Sequence, residues 1–193
     1  MSGRDDSNSG AVFVCAHGAG GRKDDRGMLG LAQALEPRGF EVVRFNFPYR
    51  ERGSMRPDPM PALKACIASV AEKARKEGKA LLLGGRSMGG RAASMLAADG
   101  FACDGLLLFA YPLHPAGKPD KLRDAHLAKI GVPVLCFNGT RDALCTRELM
   151  ERAVAALPNW QMRWIEGAGH SFPITEEIAR AAEQWWIRLR EKQ

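Results

Sequence analysis

The sequence lacks several patterns that mark whole classes of protein. No apolar run approaches the roughly 18 residues that a membrane-spanning helix needs. The chain has no C-x-x-C pair and no Cys–His spacing suited to zinc, and its glycine-rich stretches match neither G-x-G-x-x-G nor G-K-[ST]. These absences argue against a membrane protein, a structural zinc site and a phosphate-cradling nucleotide loop. We expect no metal and no cofactor.

Blocks of like charge are missing as well. The 28 Lys and Arg are scattered among 22 Asp and Glu, and the net charge of +6 predicts mild surface basicity rather than nucleic-acid binding. The five cysteines are odd in number and widely spaced, which favours reduced thiols and a cytoplasmic protein. Residues 1–10 are polar and lack the apolar stretch of a signal peptide. We predict a flexible N-terminus over 1–10 and a single domain over 11–193.

Short apolar runs alternate with longer amphipathic segments along the rest of the chain. This rhythm is typical of a mainly parallel β-sheet covered by helices on both faces. Six runs are predicted as strands, over 11–16, 41–47, 80–84, 105–110, 132–138 and 161–165. Helices are predicted over 29–37, 61–76, 90–98 and 147–157, and from 175 towards the C-terminal end.

The pentapeptide Gly85-Arg86-Ser87-Met88-Gly89 stands directly after an apolar run and directly before a small-residue helical pattern. A G-x-S-x-G at a strand-to-helix junction is typical of a nucleophilic serine held on a sharp, strained turn. Side chains two residues to either side of that serine would collide with neighbouring backbone, which explains the two glycines. We therefore predict Ser87 as a catalytic nucleophile.

A nucleophilic serine on this kind of sheet needs an acid and then a histidine later in the chain. His170 lies in a glycine-containing turn after the last predicted strand, beyond every plausible acid-bearing loop. Asp142 follows the preceding strand and a glycine turn, and would orient the imidazole. Glu148 and Glu166 are alternatives, although the first falls on a predicted helix and the second lies close to the His170 turn. The predicted catalytic residues are Ser87, Asp142 and His170.

The glycine-rich segment after the first predicted strand, residues 17–21, supplies a further part of the site. Glycines let the backbone turn its amides towards a developing oxyanion. The predicted oxyanion hole consists of the N–H of Ala19, with that of Gly20 as the alternative, and the N–H of Met88. His17 is expected to hold this loop together rather than take part in the chemistry.

The segments HGAGG, GGRSMGGR, YPLHPAGKP, GTRD and GAGHSF lie between residues 17 and 172. Together they resemble the α/β-hydrolase superfamily, in its small dienelactone-hydrolase-like branch. They are most similar to a group of small hydrolase-like proteins that includes a testis-expressed protein and a subunit of a histone acetyltransferase complex. The resemblance implies the α/β-hydrolase fold. Dienelactone hydrolases carry cysteine as nucleophile where this chain has Ser87, so their substrate is not carried over.

Many hydrolases of this fold cover the active site with a cap domain inserted after the sixth strand. The interval from Tyr111 to Gly131 is too short for one, so we predict an open site without a cap domain. The side chains predicted to touch the substrate are Arg86, Tyr111, His114 and Phe172. Core packing is an equally good interpretation of the two aromatic residues.

Several cations are predicted to gather at the same edge of the sheet, namely Arg22, Lys23, Arg50, Arg52, Arg86, Lys118 and Arg141. Such a group would favour a carboxylate-bearing or otherwise anionic acyl substrate. The alternative is that these are ordinary loop charges, some of them paired with aspartates such as Asp24 and Asp25.

The sequence thus predicts a serine hydrolase of the carboxylesterase type that cleaves a small ester, thioester or lactone through an acyl-enzyme on Ser87. The expected partner is a small-molecule substrate, with neither nucleic acid nor a membrane. The alternative is a hydrolase-like protein-interaction module without activity, since a fold alone implies no function. Peptidase activity is a third possibility.

Overall fold

The structure, a computed structural model, describes residues 10–191. Six strands form one sheet, and they are β1 (Ala11–Ala16), β2 (Phe40–Phe45), β3 (Ala80–Arg86), β4 (Gly105–Phe109), β5 (Val134–Gly139) and β6 (Trp160–Ile165). All neighbours pair in parallel, in the order β2-β1-β3-β4-β5-β6. The predicted flexible N-terminus over 1–10 lies, apart from residue 10, outside the described residues.

The described residues form six α-helices: α1 (Arg26–Leu35), α2 (Pro48–Glu51), α3 (Met60–Ala74), α4 (Met88–Ala98), α5 (Arg147–Val154) and α6 (Glu176–Arg190). Two 3₁₀ turns, Glu36–Arg38 and Leu127–Lys129, complete the regular structure of this part of the chain. The α/β-hydrolase fold predicted from the sequence is confirmed. The short helix α2 was not predicted, because four residues give too little periodicity to read.

Helices cover both faces of the sheet because side chains alternate along each strand. On one face Val14 and Leu83 pack into a core shared with α3, α4 and α5. On the other face Phe13 and Leu82 pack against α1 and α6. Strands β1 and β3 are buried along almost their whole length, as expected for central strands of a parallel sheet.

The C-terminal helix α6 begins at a capped end, where the Thr175 hydroxyl accepts a hydrogen bond from the Ile178 amide at 3.4 Å. The buried surface of α6 is wider than one narrow helical face, because it includes Ala179 and Trp186. Leu189 is only partly buried. Two large indole rings therefore anchor this helix on the sheet.

The sheet order places a topological switch point between β1 and β3, because the chain leaves β1 towards β2 and later returns to β3 on the other side. Ligands of open α/β sheets bind at the carboxyl ends of strands at such a point. Two of the predicted site segments, residues 17–21 and Ser87, follow β1 and β3 at this edge.

The segment from 111 to 131 contains one 3₁₀ turn and no cap domain, as predicted. No helix among residues 10–191 has the length and apolarity to cross a membrane. Within the same range, no group of His, Cys, Asp or Glu side chains is arranged to hold a metal ion. The described cysteines are all free thiols, and the compartment in which the protein works stays a prediction.

Candidate active site

Ser87 forms the whole turn between the end of β3 and the start of α4. Its backbone has φ 49° and ψ −119°, a left-handed conformation that is rare for a residue with a side chain. Such a conformation costs about 1–3 kcal/mol and persists only where the surroundings fix it. Part of that constraint is the hydrogen bond that the Ser87 amide donates to the Phe109 carbonyl at 2.9 Å.

The two glycines that flank this turn are required by close backbone approach. A Cβ atom on Gly85 would lie 2.0 Å from the Ala16 carbonyl oxygen, and one on Gly89 would lie 2.5 Å from the same atom. Gly85 also has φ 129°, which side chains rarely allow. Both positions therefore press against the end of β1, and this contact seats Ser87 beside the loop that follows β1.

Ser87, His170 and Asp142 form one hydrogen-bonded line. The Ser87 Oγ lies 2.8 Å from His170 Nε2, and His170 Nδ1 lies 2.8 Å from one carboxylate oxygen of Asp142 and 3.0 Å from the other. An ionised carboxylate only accepts hydrogen bonds, so Nδ1 carries the proton in the neutral imidazole. Nε2 is then free to accept from the serine hydroxyl, which is the arrangement that a general base requires.

Backbone and side-chain donors hold the Asp142 carboxylate in place. The Leu144 amide donates to Oδ1 at 2.8 Å, and Asn138 Nδ2 donates to Oδ2 at 3.3 Å. Asn138 is itself fully buried and exchanges two hydrogen bonds with the backbone of Tyr111. We did not predict a role for Asn138, although a polar side chain near the end of an apolar strand was a visible signal.

The two alternative acids lie elsewhere. Glu148 is exposed in the first turn of α5. Glu166 is exposed as well and accepts a hydrogen bond from the Thr140 hydroxyl at 3.2 Å. Asp142 is the carboxylate that the fold brings to His170.

His17 holds the loop over residues 17–21, and its hydrogen bonds define the protonation state of its ring. Its Nε2 lies 3.2 Å from the Phe47 amide, which can only donate, so Nε2 is unprotonated. Nδ1 then carries the proton and donates to the Gly18 carbonyl at 2.7 Å. Burial lowers the pKa of His17, which agrees with a neutral ring at this place. The expectation that His17 ties the loop together fits these contacts.

Two further hydrogen bonds complete the loop. The Gly21 amide donates to the Gly18 carbonyl at 3.0 Å, and the Tyr49 hydroxyl donates to the Ala19 carbonyl at 2.7 Å. A Cβ atom on Gly18 would lie 3.5 Å from the Ser87 Cβ, so the loop runs directly beside the serine. Tyr49, on the unpredicted helix α2, is a second site residue that sequence reasoning missed.

The two residues predicted as oxyanion donors are near Ser87 in different ways. Ala19 lines the cavity that Ser87 also lines, and within residues 10–191 its amide donates to no protein acceptor. Met88 directly follows Ser87 as the first residue of α4, where helix amides have no intrahelical partner and the helix dipole is positive. Their role as oxyanion donors stays a prediction.

A cavity of about 1050 Å³ opens beside Ser87 and His170. Its walls are the loop over 17–21, the first turns of α1, and the segment 170–174, with Arg86 and Ala110 between them. This volume lies at the upper end of the range typical of small-molecule sites.

Of the four side chains predicted to touch the substrate, Arg86 and Phe172 line this cavity, and Tyr111 and His114 do not. The side chain of Tyr111 is fully buried in the core on the α4 side of the sheet. His114 is almost fully buried, and its Nε2 accepts from the Thr146 amide at 3.0 Å at the start of α5. Both assignments are corrected, because these residues serve the packing of the fold.

The predicted gathering of cations does not form around the cavity. Of the seven, Arg86 is the one that lines it. Arg52 pairs with Asp58 at 2.6 Å, and Arg50 is buried with its guanidinium against the Ser54 carbonyl. The interpretation as ordinary, partly paired loop charges therefore describes much of this group.

A second serine–histidine contact lies on the face of the sheet that α4 covers. Ser94 Oγ and the Tyr111 hydroxyl each lie 2.9 Å from His126 Nε2, and they lie 3.1 Å from each other. Burial, followed by the charge of Arg91, lowers the pKa of His126 to about 4. None of these residues lines the cavity beside Ser87.

Comparison with known proteins agrees with this description. The family model of the alpha/beta hydrolase domain matches residues 9–192, so the chain belongs to this family. The finer grouping with a testis-expressed protein and an acetyltransferase-complex subunit stays a prediction.

Three solved structures illustrate how widely the fold is shared. TT1662 from Thermus thermophilus is 25% identical, with a TM-score of 0.73 over 93% of this chain and 89% of that one. Est1E from Butyrivibrio proteoclasticus, with ferulic acid bound, is 16% identical, with a TM-score of 0.79 over 99% and 94%. A dienelactone hydrolase from Anabaena variabilis is 17% identical, with a TM-score of 0.71 over 94% and 88%.

Proposed function

We propose that the protein is a serine hydrolase that cleaves small ester-type bonds, in esters, thioesters or lactones, through an acyl-enzyme on Ser87. The observation that carries the proposal is the line from Asp142 through His170 to the Ser87 hydroxyl, with 2.8 Å contacts on both sides of the imidazole, at the wall of a large cavity. A neutral histidine oriented by a buried carboxylate is the standard means of activating a serine.

In the first half of the reaction the Ser87 Oγ attacks the substrate carbonyl carbon, and its proton passes to His170 Nε2. Asp142 stabilises the resulting imidazolium, since its carboxylate already accepts the Nδ1 proton. When the tetrahedral intermediate collapses, the bond to the leaving oxygen or sulfur breaks and His170 returns the proton to the leaving group. In the second half, water gives a proton to His170 and attacks the acyl carbon. The bond to Ser87 Oγ then breaks as His170 returns that proton to Ser87, and the acid product leaves.

The negative charge that develops on the carbonyl oxygen would be held by the N–H groups of Ala19 and Met88, with Gly20 as the alternative to Ala19. One such donor is worth about 3 kcal/mol of barrier in other serine hydrolases. The His17 and Tyr49 hydrogen bonds support this role, because they fix the loop before the substrate arrives. A donor that needs no reorganisation stabilises charge more effectively in a partly dry site.

The names of the structural neighbours favour ester-type chemistry. They include a dienelactone hydrolase and a monoacylglycerol lipase, and Est1E binds ferulic acid. The open mouth and the absence of a cap domain in the described residues favour a small substrate, or the exposed end of a larger one.

Trapping of the acyl-enzyme tests the proposal. Rapid mixing with p-nitrophenyl esters of varied chain length should give a burst of p-nitrophenolate close to one equivalent per enzyme, together with an acyl mass on the peptide that contains Ser87. Thioesters and lactones would then be compared under steady-state conditions. If no ester is turned over and no acyl mass appears, the proposal is refuted and the non-catalytic interaction module is favoured.

A further inference from the structure

Arg86, the residue before the predicted nucleophile, is a cation in the cavity wall. Its two terminal nitrogens donate to the Phe172 carbonyl at 3.2 and 3.1 Å, and its guanidinium carbon lies 5.4 Å from the centre of the Phe172 ring. Burial lowers the pKa of Arg86. These contacts fix the guanidinium in one orientation beside Ser87.

The charge of Arg86 has no counter-ion in the part of the chain that the structure describes. Among residues 10–191, no carboxylate forms an ion pair with it. Partly buried charges are normally paired, because leaving one unpaired is unfavourable. Asp25 also lines the cavity, but its carboxylate accepts the Arg22 amide at 2.6 Å on its own loop. A bound anion would complete the environment of Arg86.

The guanidinium also has more N–H donors than its contacts to Phe172 use. It has five N–H groups, and the two contacts to the Phe172 carbonyl use one on each terminal nitrogen. The edge formed by Nε and one terminal nitrogen can therefore still bind a carboxylate through two parallel hydrogen bonds.

Gly27 of α1 faces the guanidinium. A Cβ atom there would lie 3.7 Å from Nη1, 3.8 Å from the guanidinium carbon and 3.9 Å from Nε, so a side chain at this position would cover the plane of the group. The neighbouring wall is apolar, with Met28 and Ile174 close by. This part of the cavity thus places one oriented cation near apolar side chains.

We infer that Arg86 is an anion subsite of this cavity, and that the substrate is an ester carrying a carboxylate on a short apolar spacer from the scissile carbonyl. The inference rests on the proposed function and specifies the substrate class of the same site. Charge-assisted bidentate hydrogen bonds supply the recognition, and the apolar wall accepts the spacer.

Matched ester pairs test the inference. The substrates are the monoethyl esters of succinic, glutaric and adipic acid, each compared with the ester in which a primary amide replaces the free carboxylate. We expect kcat/KM to be about tenfold or more higher for the carboxylate at one or more spacer lengths, the size of a charge-assisted hydrogen bond. Arg86→Gln should abolish this ratio, whereas Lys118→Gln, at an exposed cation that does not line the cavity, should preserve it.

The ratio separates recognition from a structural effect. If Arg86 only holds the segment that carries His170, Arg86→Gln lowers kcat/KM for both members of a pair equally, and the inference is overturned. Equal rates for both members in the native protein overturn it as well.

Binding to the Ser87→Ala protein separates this inference from the proposed function. Calorimetry with the same pairs should show tighter binding of the carboxylate member, by about tenfold, and loss of that difference on adding Arg86→Gln. A native protein that cleaves nothing but shows this difference would refute the hydrolase and keep the subsite. A native protein that cleaves both members equally, with equal binding, would keep the hydrolase and refute the subsite.

Discussion

The two serine–histidine contacts of this molecule have nearly the same length and very different surroundings. Ser87 lies 2.8 Å from His170, and Ser94 lies 2.9 Å from His126. The first pair has a buried carboxylate behind the histidine and an open cavity in front of the serine. The second pair has the hydroxyl of Tyr111 beside it and joins buried Ser94 of α4 to half-buried His126 in the segment after β4.

The two pairs differ in the group that accepts the hydrogen bond from the serine hydroxyl. Ser94 donates its hydroxyl proton to the Arg91 carbonyl at 2.8 Å, one turn back in the same helix. His126 also lies near the positive charge of Arg91, which opposes protonation of its ring. His126 therefore makes a poor base, and the contact anchors the segment after β4 to α4. A short serine–histidine distance does not by itself make a nucleophile.

Replacement of the two serines gives the largest contrast. Ser87→Ala should lower kcat by about 10⁴ or more while leaving the fold intact, because it removes the attacking atom. Ser94→Ala should leave kcat within about twofold and lower the free energy of unfolding by about 1 kcal/mol. Ester hydrolysis and urea denaturation measure the two effects. Comparable activity losses in both variants would remove the distinction between the pairs.

Asp142→Asn should make the first pair resemble the second, because no carboxylate would then accept the Nδ1 proton. We expect kcat to fall by about 10³–10⁴, through loss of the productive tautomer and of imidazolium stabilisation. Glu166→Gln, at the acid that the fold places away from His170, is the matched control and should change kcat little. A large loss in the control with none in Asp142→Asn would reverse the assignment.

The two tyrosines of the chain separate loop support from core packing. Tyr49→Phe removes the hydrogen bond to the Ala19 carbonyl, and we expect kcat to fall about fivefold to tenfold with KM little changed, the effect of one neutral hydrogen bond. Tyr111→Phe should lower the free energy of unfolding by about the contribution of one neutral hydrogen bond. It should leave kcat unchanged, because Tyr111 does not reach the cavity. Steady-state kinetics on both variants decide whether Tyr49 positions the loop over residues 17–21.

His126 should give the protein a pH dependence of stability. Its pKa is lowered to about 4 in the folded state from an ordinary 6.5, so the unfolded chain binds more protons between these values. The corresponding stability is fully present above about pH 6.5 and is lost as the pH falls towards 4. Solvent screening of this half-buried ring limits the loss to about 1–2 kcal/mol. His126→Gln should reduce the slope of unfolding free energy against pH in that window, and an unchanged slope would contradict the assignment.

His17 contributes to the slope that remains in that variant. Burial lowers its pKa in the same direction as that of His126, so some stability should still be lost on acidification. Urea denaturation of the native and His126→Gln proteins at a series of pH values measures both contributions.

The sequence predicted the strand-to-helix turn at Ser87 because the residue types it needs lie within five consecutive positions. A glycine stands two residues to either side of the serine, and the structure shows that both glycines meet the end of β1. Asp142 and His170 were found by chain order, since parallel strands bring their carboxyl ends to one edge. Asn138 could have been found as a polar residue in an apolar strand.

Tyr49, Tyr111 and His114 show where sequence reasoning stops. The hydrogen bond between Tyr49 and Ala19 joins residues thirty positions apart, and no periodicity in either segment predicts it. Tyr111 and His114 stand next to the site in sequence, but the chain turns at Ala110, which has φ 53° and packs on the α1 face. Tyr111 therefore enters the opposite core. A side chain's choice of face depends on such backbone angles, which the sequence of a loop does not reveal.

Labelling with a fluorophosphonate, followed by peptide mass spectrometry, tests the central claim most directly. An activated serine attacks this reagent and forms a stable adduct, whereas an ordinary hydroxyl does not react. We predict a single adduct on the peptide that contains Ser87, absent in Asp142→Asn, with Ser94 unmodified in the native protein. A native protein that leaves Ser87 unmodified, or modifies Ser94 in its place, would contradict the assignment of the nucleophile.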